Sequence, residues 1–375
     1  MQSQLEHGNL DPRELKRARD AQAKDFPKGI PECGTDALRF ALCSYTKQGR
    51  NINLDILRVQ GCRFFCNKLW NAVRYALYHC LGTEFQPPVI VSLEEALSTA
   101  RAHPLISGTD RWILSRLANA VQRCYNGFEQ FHFSMATTAC YNFWLYEFCD
   151  VYLEYTKPIV KPDGKPVHME RANLVCCVLY LCLNVGLRLL HPFMPFITEE
   201  LYQRLPHRAE SKQLAPSICV TPYPTPGQVA ALRDEDGVET DFRLVNSIAH
   251  RLRALRAAYH VQSRGQLDAQ LLAPPPVLNS LIAGGYLVDV LEPLGRSRIT
   301  QATSERSQIN TKGCVHATVS ASDLLASNNG DPNVTEPGDA ASDSDDELNE
   351  SNQRQPPEVV PASVALEHSS AKETQ

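Results

Sequence analysis

The sequence has no glycine-rich phosphate loop, no Gly-x-Ser-x-Gly turn and no Cys-x-x-Cys pair. The first absence removes the backbone cradle that many nucleotide-binding folds offer to phosphates. The second removes the strained turn that presents a hydrolase serine. The third leaves 13 cysteines without the spacing of a zinc finger or a dithiol redox centre. That odd number, spread through apolar runs as at Cys176, Cys177 and Cys182, reads as reduced core thiols. Cys62 and Cys66 are four apart on a predicted helix, but no second ligand pair accompanies them, so no metal site is expected. Paired catalytic carboxylates are also missing. Glu199 and Glu200 are adjacent, diverge on a helix, and read as solvation of a helix end. There is no internal repeat. The longest apolar run, residues 174–190, contains Asn184, Gly186 and Arg188, which suits a buried bundle helix better than a membrane span. The N-terminal stretch is polar and mixed in charge, unlike a signal or transit peptide. Neither a membrane nor a DNA partner is expected.

What is present is an ordinary mixture, 43% hydrophobic and 21% charged, over 375 residues. The net charge of −5 hides an asymmetry. Residues 327–375 hold 11 acidic and 2 basic side chains, whereas residues 1–326 hold 31 and 35. A mildly basic body with an acidic tail is a pattern found where nucleic acid is contacted.

Helical periodicity dominates the first two thirds. Asp11-Pro12-Arg13-Glu14 has the spacing of a helix start, with Pro at the first helical position. Thr35 is expected to cap a short helix that stops near Gly49. Asp55 begins a long helix ending at Gly82, whose apolar positions Val59, Cys62, Cys66, Leu69, Val73, Ala76 and Cys80 alternate by three and four. Asp110 is expected to start the next helix and Ser134 an aromatic-rich one that stops before Pro158. A fourth covers 170–190, and a short one runs on to Leu205. Such segments with short links favour an antiparallel helical bundle. A further helix is predicted at 241–260. After Gly265 the period shortens: QLDAQLLA, YLVDVLEPL and CVHATVSAS alternate as strands do, around a helix near 277–283. The tail is too poor in apolar residues to fold. The expected fold is therefore mainly α: a helical bundle, a small α/β module and a disordered acidic tail. The expected segments are 1–54, 55–224, 225–326 and 327–375.

On the long helix, Lys68, Asn71 and Tyr75 follow i, i+3, i+7 spacing, opposite the apolar stripe and in line with Phe64. Arg63, Asn67 and Arg74 flank them. Cations, an amide and aromatic rings on one face suit unstacked RNA bases, because rings stack, amides read base edges and cations meet phosphates. The same spacing also fits a plain solvated face.

The strings PECGTDALRF, QGRNINLD and NKLWNA resemble those of valyl-tRNA synthetases, in particular the cytosolic eukaryotic type. TTACYNFWLYEFCDVYLE, LRLLHPFMPFITEELYQRLP and CVTPYP continue the resemblance in the same order. It is strong over residues 9–224, moderate over 241–260, loose to 325 and absent beyond. DALRF and HPFMPFITEELYQRL are shared in looser form with isoleucyl and leucyl relatives. PECGTDALRF together with NINLD points to valine.

The resemblance implies an anticodon-binding bundle, with residues 1–54 the stem that follows the catalytic core. In that family an Lys, an Asn and an aromatic ring of the first long bundle helix meet the anticodon bases. The matching positions are Lys68, Asn71 and Tyr75, with Arg58, Arg63 and Arg74 as phosphate contacts. The implied partner is tRNA(Val) and the implied location the cytosol. The whole family enzyme uses ATP and Mg²⁺, held through HIGH and KMSKS motifs, and neither motif occurs in this sequence. No catalytic residue and no cofactor is therefore assigned to this chain. Its acidic end replaces a coiled-coil arm of the family, and Ser342 and Ser344 resemble targets of acid-directed kinases. A competing expectation is a non-catalytic helical module that binds proteins such as elongation factors or synthetase partners. The sequence predicts that the chain alone gives no valine-dependent pyrophosphate exchange; measurable exchange by the purified chain would contradict this.

Overall fold

A helix apolar on every side has to be covered on every side, and residues 174–190 are such a helix. All of them are buried except the half-buried Cys177. The helix containing them, Met169–Leu190, is long and apolar enough to cross a membrane, but 89% of its most apolar window is buried inside the protein.

The computed structural model describes residues 11–26, 29–46, 54–82, 85–87, 92–160, 168–206, 216–233, 237–258, 267–272, 275–286, 290–291, 297–302 and 318–320. In chain order these form α1 (Pro12–Asp25), α2 (Thr35–Ser44) and α3 (Ile56–Tyr75), which runs into a π-helical turn, Ala76–Leu81. Next come α4 (Leu93–Arg101), α5 (Gly108–Glu129) and α6 (Phe133–Asn142). A second π-helical segment, Phe143–Tyr152, joins α6 to α7 (Leu153–Val160). They are followed by α8 (Met169–Leu190), α9 (Pro195–Tyr202), two 3₁₀ turns (Ile218–Val220 and Gly227–Leu232) and α10 (Val238–Ala258). Beyond lie β1 (Leu267–Leu272), α11 (Pro275–Ala283), β2 (Ser297–Ala302) and β3 (Thr318–Ser320). The protein is mainly α, a helical bundle, as the periodicity predicts. Helices α4 to α7 and α9 all pack on α8. The small sheet has the order β2-β1-β3 with both pairings parallel.

Close packing on α8 has a local cause at Gly186. A Cβ there would sit 3.0 Å from the Trp144 ring, and the indole Nε1 donates to the Gly186 carbonyl at 3.2 Å. The missing side chain lets the aromatic segment lie directly on the helix. The described cysteines are free thiols. Burial pushes Cys62 and Cys66 up to about 11, as expected of core thiols.

Several expected starts and stops move, for identifiable reasons. Asp11 does cap α1, accepting from Arg13 N at 2.8 Å. Gly34, with φ of 86°, precedes α2, so Thr35 is its first residue and not its cap. Asp36 instead reaches across to α9, accepting from Phe196 N at 3.2 Å and Ile197 N at 2.7 Å. Ser107, not Asp110, caps α5. Asp110 is the reciprocal member of that capping box, accepting from Ser107 N at 3.0 Å. His132 rather than Ser134 precedes α6. Pro158 lies inside α7, two residues before its end, where it gives up one helical hydrogen bond and leaves little helix beyond it to disturb. Helix α4, capped by Ser92, was not expected, nor was β2. The described residues of YLVDVLEPL (286, 290 and 291) are not strand. The acidic tail lies outside the described residues.

Glu199 has a structural task. It accepts from Ser217 Oγ at 2.7 Å, Ile218 N at 3.1 Å and Gln203 Nε2 at 2.7 Å. Burial raises its pKa, but these bonds outweigh burial and hold the carboxyl below its ordinary range.

The polar centre of the bundle is Asp110, fully buried. Its carboxylate meets Arg171 of α8 at 2.6 Å and accepts from Tyr152 Oη at 2.9 Å. Three elements distant in sequence are thereby joined. Asp110→Ala leaves Arg171 without its counter-charge and should destabilise the fold by about 3–5 kcal/mol in equilibrium denaturation. A change below ~1 kcal/mol would show that the network is dispensable.

Candidate nucleic-acid interface

Helix α3 is set by its cap and its dry stripe. Asp55 accepts from Leu57 N at 2.9 Å, occupying one of the unpaired first-turn donors. Val59, Cys62, Phe65, Cys66, Leu69, Ala72 and Val73 are buried against the bundle. The opposite face carries Phe64, Asn67, Lys68, Asn71 and Arg74, all exposed. The π-helical turn extends this face to Tyr78, 76% exposed, while Phe64 at its other end is 60% exposed. Tyr78 was not anticipated, although its place four residues after Arg74 was a readable signal.

The three residues predicted to read bases are differently placed. Lys68 and Asn71 are exposed. Lys68 Nζ stands 3.2 Å from Asp150 Oδ1 in the second π-helical segment, and the two side chains are 51% and 46% exposed. An ion pair so open to water holds its partners weakly, at about 0–1 kcal/mol. The lysine is steered by Asp150 but not sequestered.

Tyr75 is half-buried, a correction to the picture of a fully wet face. Its ring is 4.8 Å from the His79 ring, centroid to centroid, and Lys157 Nζ of α7 lies 5.4 Å from its centroid. Burial, then Cys80 and Glu154, raise its hydroxyl above the ordinary tyrosine range, so it stays a neutral donor at physiological pH. Tyr75 can therefore offer a partly covered ring and a hydroxyl, while Phe64 and Tyr78 offer open rings.

The predicted phosphate contacts Arg58, Arg63 and Arg74 are all exposed. Arg58 lies over the Tyr45 ring at 4.6 Å, which anchors it near the start of α3. Trp70, on the flank facing α9, is covered by Arg204 at 5.3 Å and is less available. Among the described residues no group of three or more His, Cys, Asp or Glu could hold a metal ion. The arrangement offers rings, amides and cations along one rod.

Comparison with known proteins gives the class first. Residues 110–271 match the family model described as the anticodon-binding domain of tRNA ligase. The match takes in α5 to α10 and nearly all of β1; α3 lies before it. The particular family follows from relatives. The chain is 50% identical over 263 residues to a valine--tRNA ligase of Takifugu rubripes, covering 69% of this chain and 20% of that protein. It is 49% identical over 261 residues to the Homo sapiens valine--tRNA ligase, covering 70% and 19%. To the mitochondrial valine--tRNA ligase of Mus musculus it is 44% identical over 300 residues, covering 79% and 26%. The chain thus carries the anticodon-binding domain of tRNA ligases and, over most of its length, is homologous to valyl-tRNA synthetases. It spans about a fifth of the length of the first of these relatives.

Asp150→Asn removes the carboxylate beside Lys68 without removing bulk. Folding stability should change by less than ~1 kcal/mol, while binding of a polyanion to the chain at low salt becomes tighter. Weaker or unchanged binding would show that Lys68 does not face the ligand.

Proposed function

We propose that this chain binds tRNA(Val) through its anticodon region and so supports ATP-dependent joining of valine to tRNA in translation. The observation that carries the reading is the wet face of α3. Lys68 and Asn71 are exposed there, Tyr75 half-exposed beside them, and Arg58, Arg63 and Arg74 distributed along the same helix. Homology to valyl-tRNA synthetases supplies the ligand class, and the matched anticodon-binding domain supports an RNA role. Rings take the unstacked bases, Asn71 reads a base edge and the cations meet phosphates. Tyr78 joins this set as a further open ring. The place of action in this reading is the cytosol. ATP and Mg²⁺ serve the whole ligase. The described residues show no cluster fitted to the metal, and no chemical step is assigned to side chains of this chain.

Binding of tRNA(Val) by the whole chain, measured at two salt concentrations, tests the reading. Affinity should fall steeply with salt. Lys68→Ala should flatten the log–log slope by about 0.7, the value for one phosphate of a single strand. Asn71→Ala and Tyr75→Ala should weaken binding with little change of slope, Tyr75→Ala by up to about 1–3 kcal/mol for a stacked base.

One observation favours a second reading, a helical module that binds proteins such as elongation factors or synthetase partners. Leu38 and Leu42 on α2 and Phe196 on α9 are 40%, 36% and 66% exposed, and Asp36 ties these two helices together. Flat salt dependence with no effect of the three α3 substitutions would favour that reading over the first.

A further inference from the structure

Helix α10 divides its charges by side. Its acids lie at its start and face inward: Glu239 accepts from Ser115 Oγ at 2.6 Å and pairs with Arg116 at 3.3 Å, and Asp241 accepts from Ser280 Oγ at 2.7 Å. From residue 242 to 258 there is no acid, while Arg243, His250, Arg251 and Arg253 are exposed. At ~100° per residue, these four fall within about 80° either side of Arg243. The opposite side holds Phe242, Val245, Ile248, Ala249 and Leu252, all buried. Arg243 donates to Thr240 Oγ1 at 3.1 Å and Arg253 to the Ala249 carbonyl at 3.3 Å. Among the described residues none of Arg243, Arg251 and Arg253 forms an ion pair with a carboxylate.

Two ordinary explanations fall short. Cations at a helix C-terminus answer the macrodipole, but that effect is confined to the last turn and accounts here for Arg256. A solvated face normally mixes signs, and this one does not. The helix is also fixed to the bundle. Trp112 stacks on Phe242 with centroids 3.9 Å apart, and Arg116 joins Glu239 to Glu147 of the segment that carries Asp150, the partner of Lys68. Arg116–Glu147 is 2.7 Å. From α3 to α10 there are three packing steps of about 8–10 Å, a span an RNA larger than a loop can bridge.

We propose that the outer face of α10 is a second RNA surface, at which Arg243, Arg251 and Arg253 bind the phosphate backbone of the same tRNA without reading its sequence. The inference rests on the tRNA-binding reading above and adds a separate surface to it. The match at residues 110–271 takes in this helix.

The test uses the whole chain with Arg243→Gln, Arg251→Gln and Arg253→Gln combined, and a parallel triple Arg→Lys variant. Thermal midpoints verify folding. Binding of tRNA(Val), and of the same tRNA with an altered anticodon, is titrated against salt. The Gln variant should lower the log–log salt slope by about 2–3, at ~0.9 per duplex phosphate lost. It should weaken both tRNAs by the same factor, and the Lys variant should restore the slope. A wild-type slope in the Gln variant, with wild-type binding intact, overturns this inference alone. A fold-change that differs between the two tRNAs also overturns it, because α10 would then be reading sequence. Failure of the unaltered chain to bind tRNA overturns the underlying reading and this inference with it.

Discussion

Covering α8 organises the whole bundle. Each leucine it buries contributes about 1.5–3 kcal/mol against exposure, so no arrangement that leaves one side wet competes. The covering helices thereby lose one face each to the core and keep one for solvent. Helix α3 packs not on α8 but on α2, the second π-helical segment and α9, and its own division falls between Leu69 and Val73, both buried, and Lys68 and Asn71, both exposed. A recognition face on α3 follows from packing as much as from side-chain chemistry, because it exists only while the other side is held down.

Holding it down requires polar ties in a largely apolar interior. Asp110 has no exposed surface, and its desolvation is tolerated only because Ser107, Tyr152 and Arg171 all meet it. Tyr152 responds accordingly: burial first, and then the neighbouring carboxylate, push its hydroxyl well above the ordinary range. Asp36 does comparable work at the other end, where it takes the first N–H groups of α9 and thereby sets the angle between α2 and the bundle. These carboxylates are spent on architecture. None of them is left to repel an anion at the surface of α3 or α10.

Periodicity made the helices legible, because a stripe such as Val59–Cys62–Cys66–Leu69–Val73 has one physical explanation. Three helix starts were misread by one to three residues, at Thr35, Asp110 and Ser134. Asp110 looks like a cap from its neighbours, and only the fold shows Ser107 in that place and Arg171 waiting for the carboxylate. The π-helical segments were invisible for a related reason: one widened turn leaves an apolar pattern almost unchanged. Of the candidate site, the exposure of Lys68 and Asn71 could be read from spacing alone. The half-burial of Tyr75 could not, since it comes from Lys157 and His79 closing over the ring. The small sheet was the least legible part, its strands being short and alternating weakly.

The distribution of charge connects these points. Inside, Arg116 lies between Glu147 and Glu239 and Arg171 lies against Asp110, while the buried Arg188 donates to the Pro222 carbonyl. Even so, burial raises the carboxyl of Glu147 despite the arginine beside it, which shows how strongly the interior resists charge. Outside, Arg58, Arg63 and Arg74 of α3 and Arg243, Arg251 and Arg253 of α10 are exposed. A chain of negative net charge can therefore still present cationic faces, provided its acids are drawn inward or gathered elsewhere in sequence. Here both occur. Glu239 and Asp241 turn in beneath α10, and 11 acids are collected in residues 327–375. Net charge averages over that sorting and so says little about the ligand; the sign of each helix face says more.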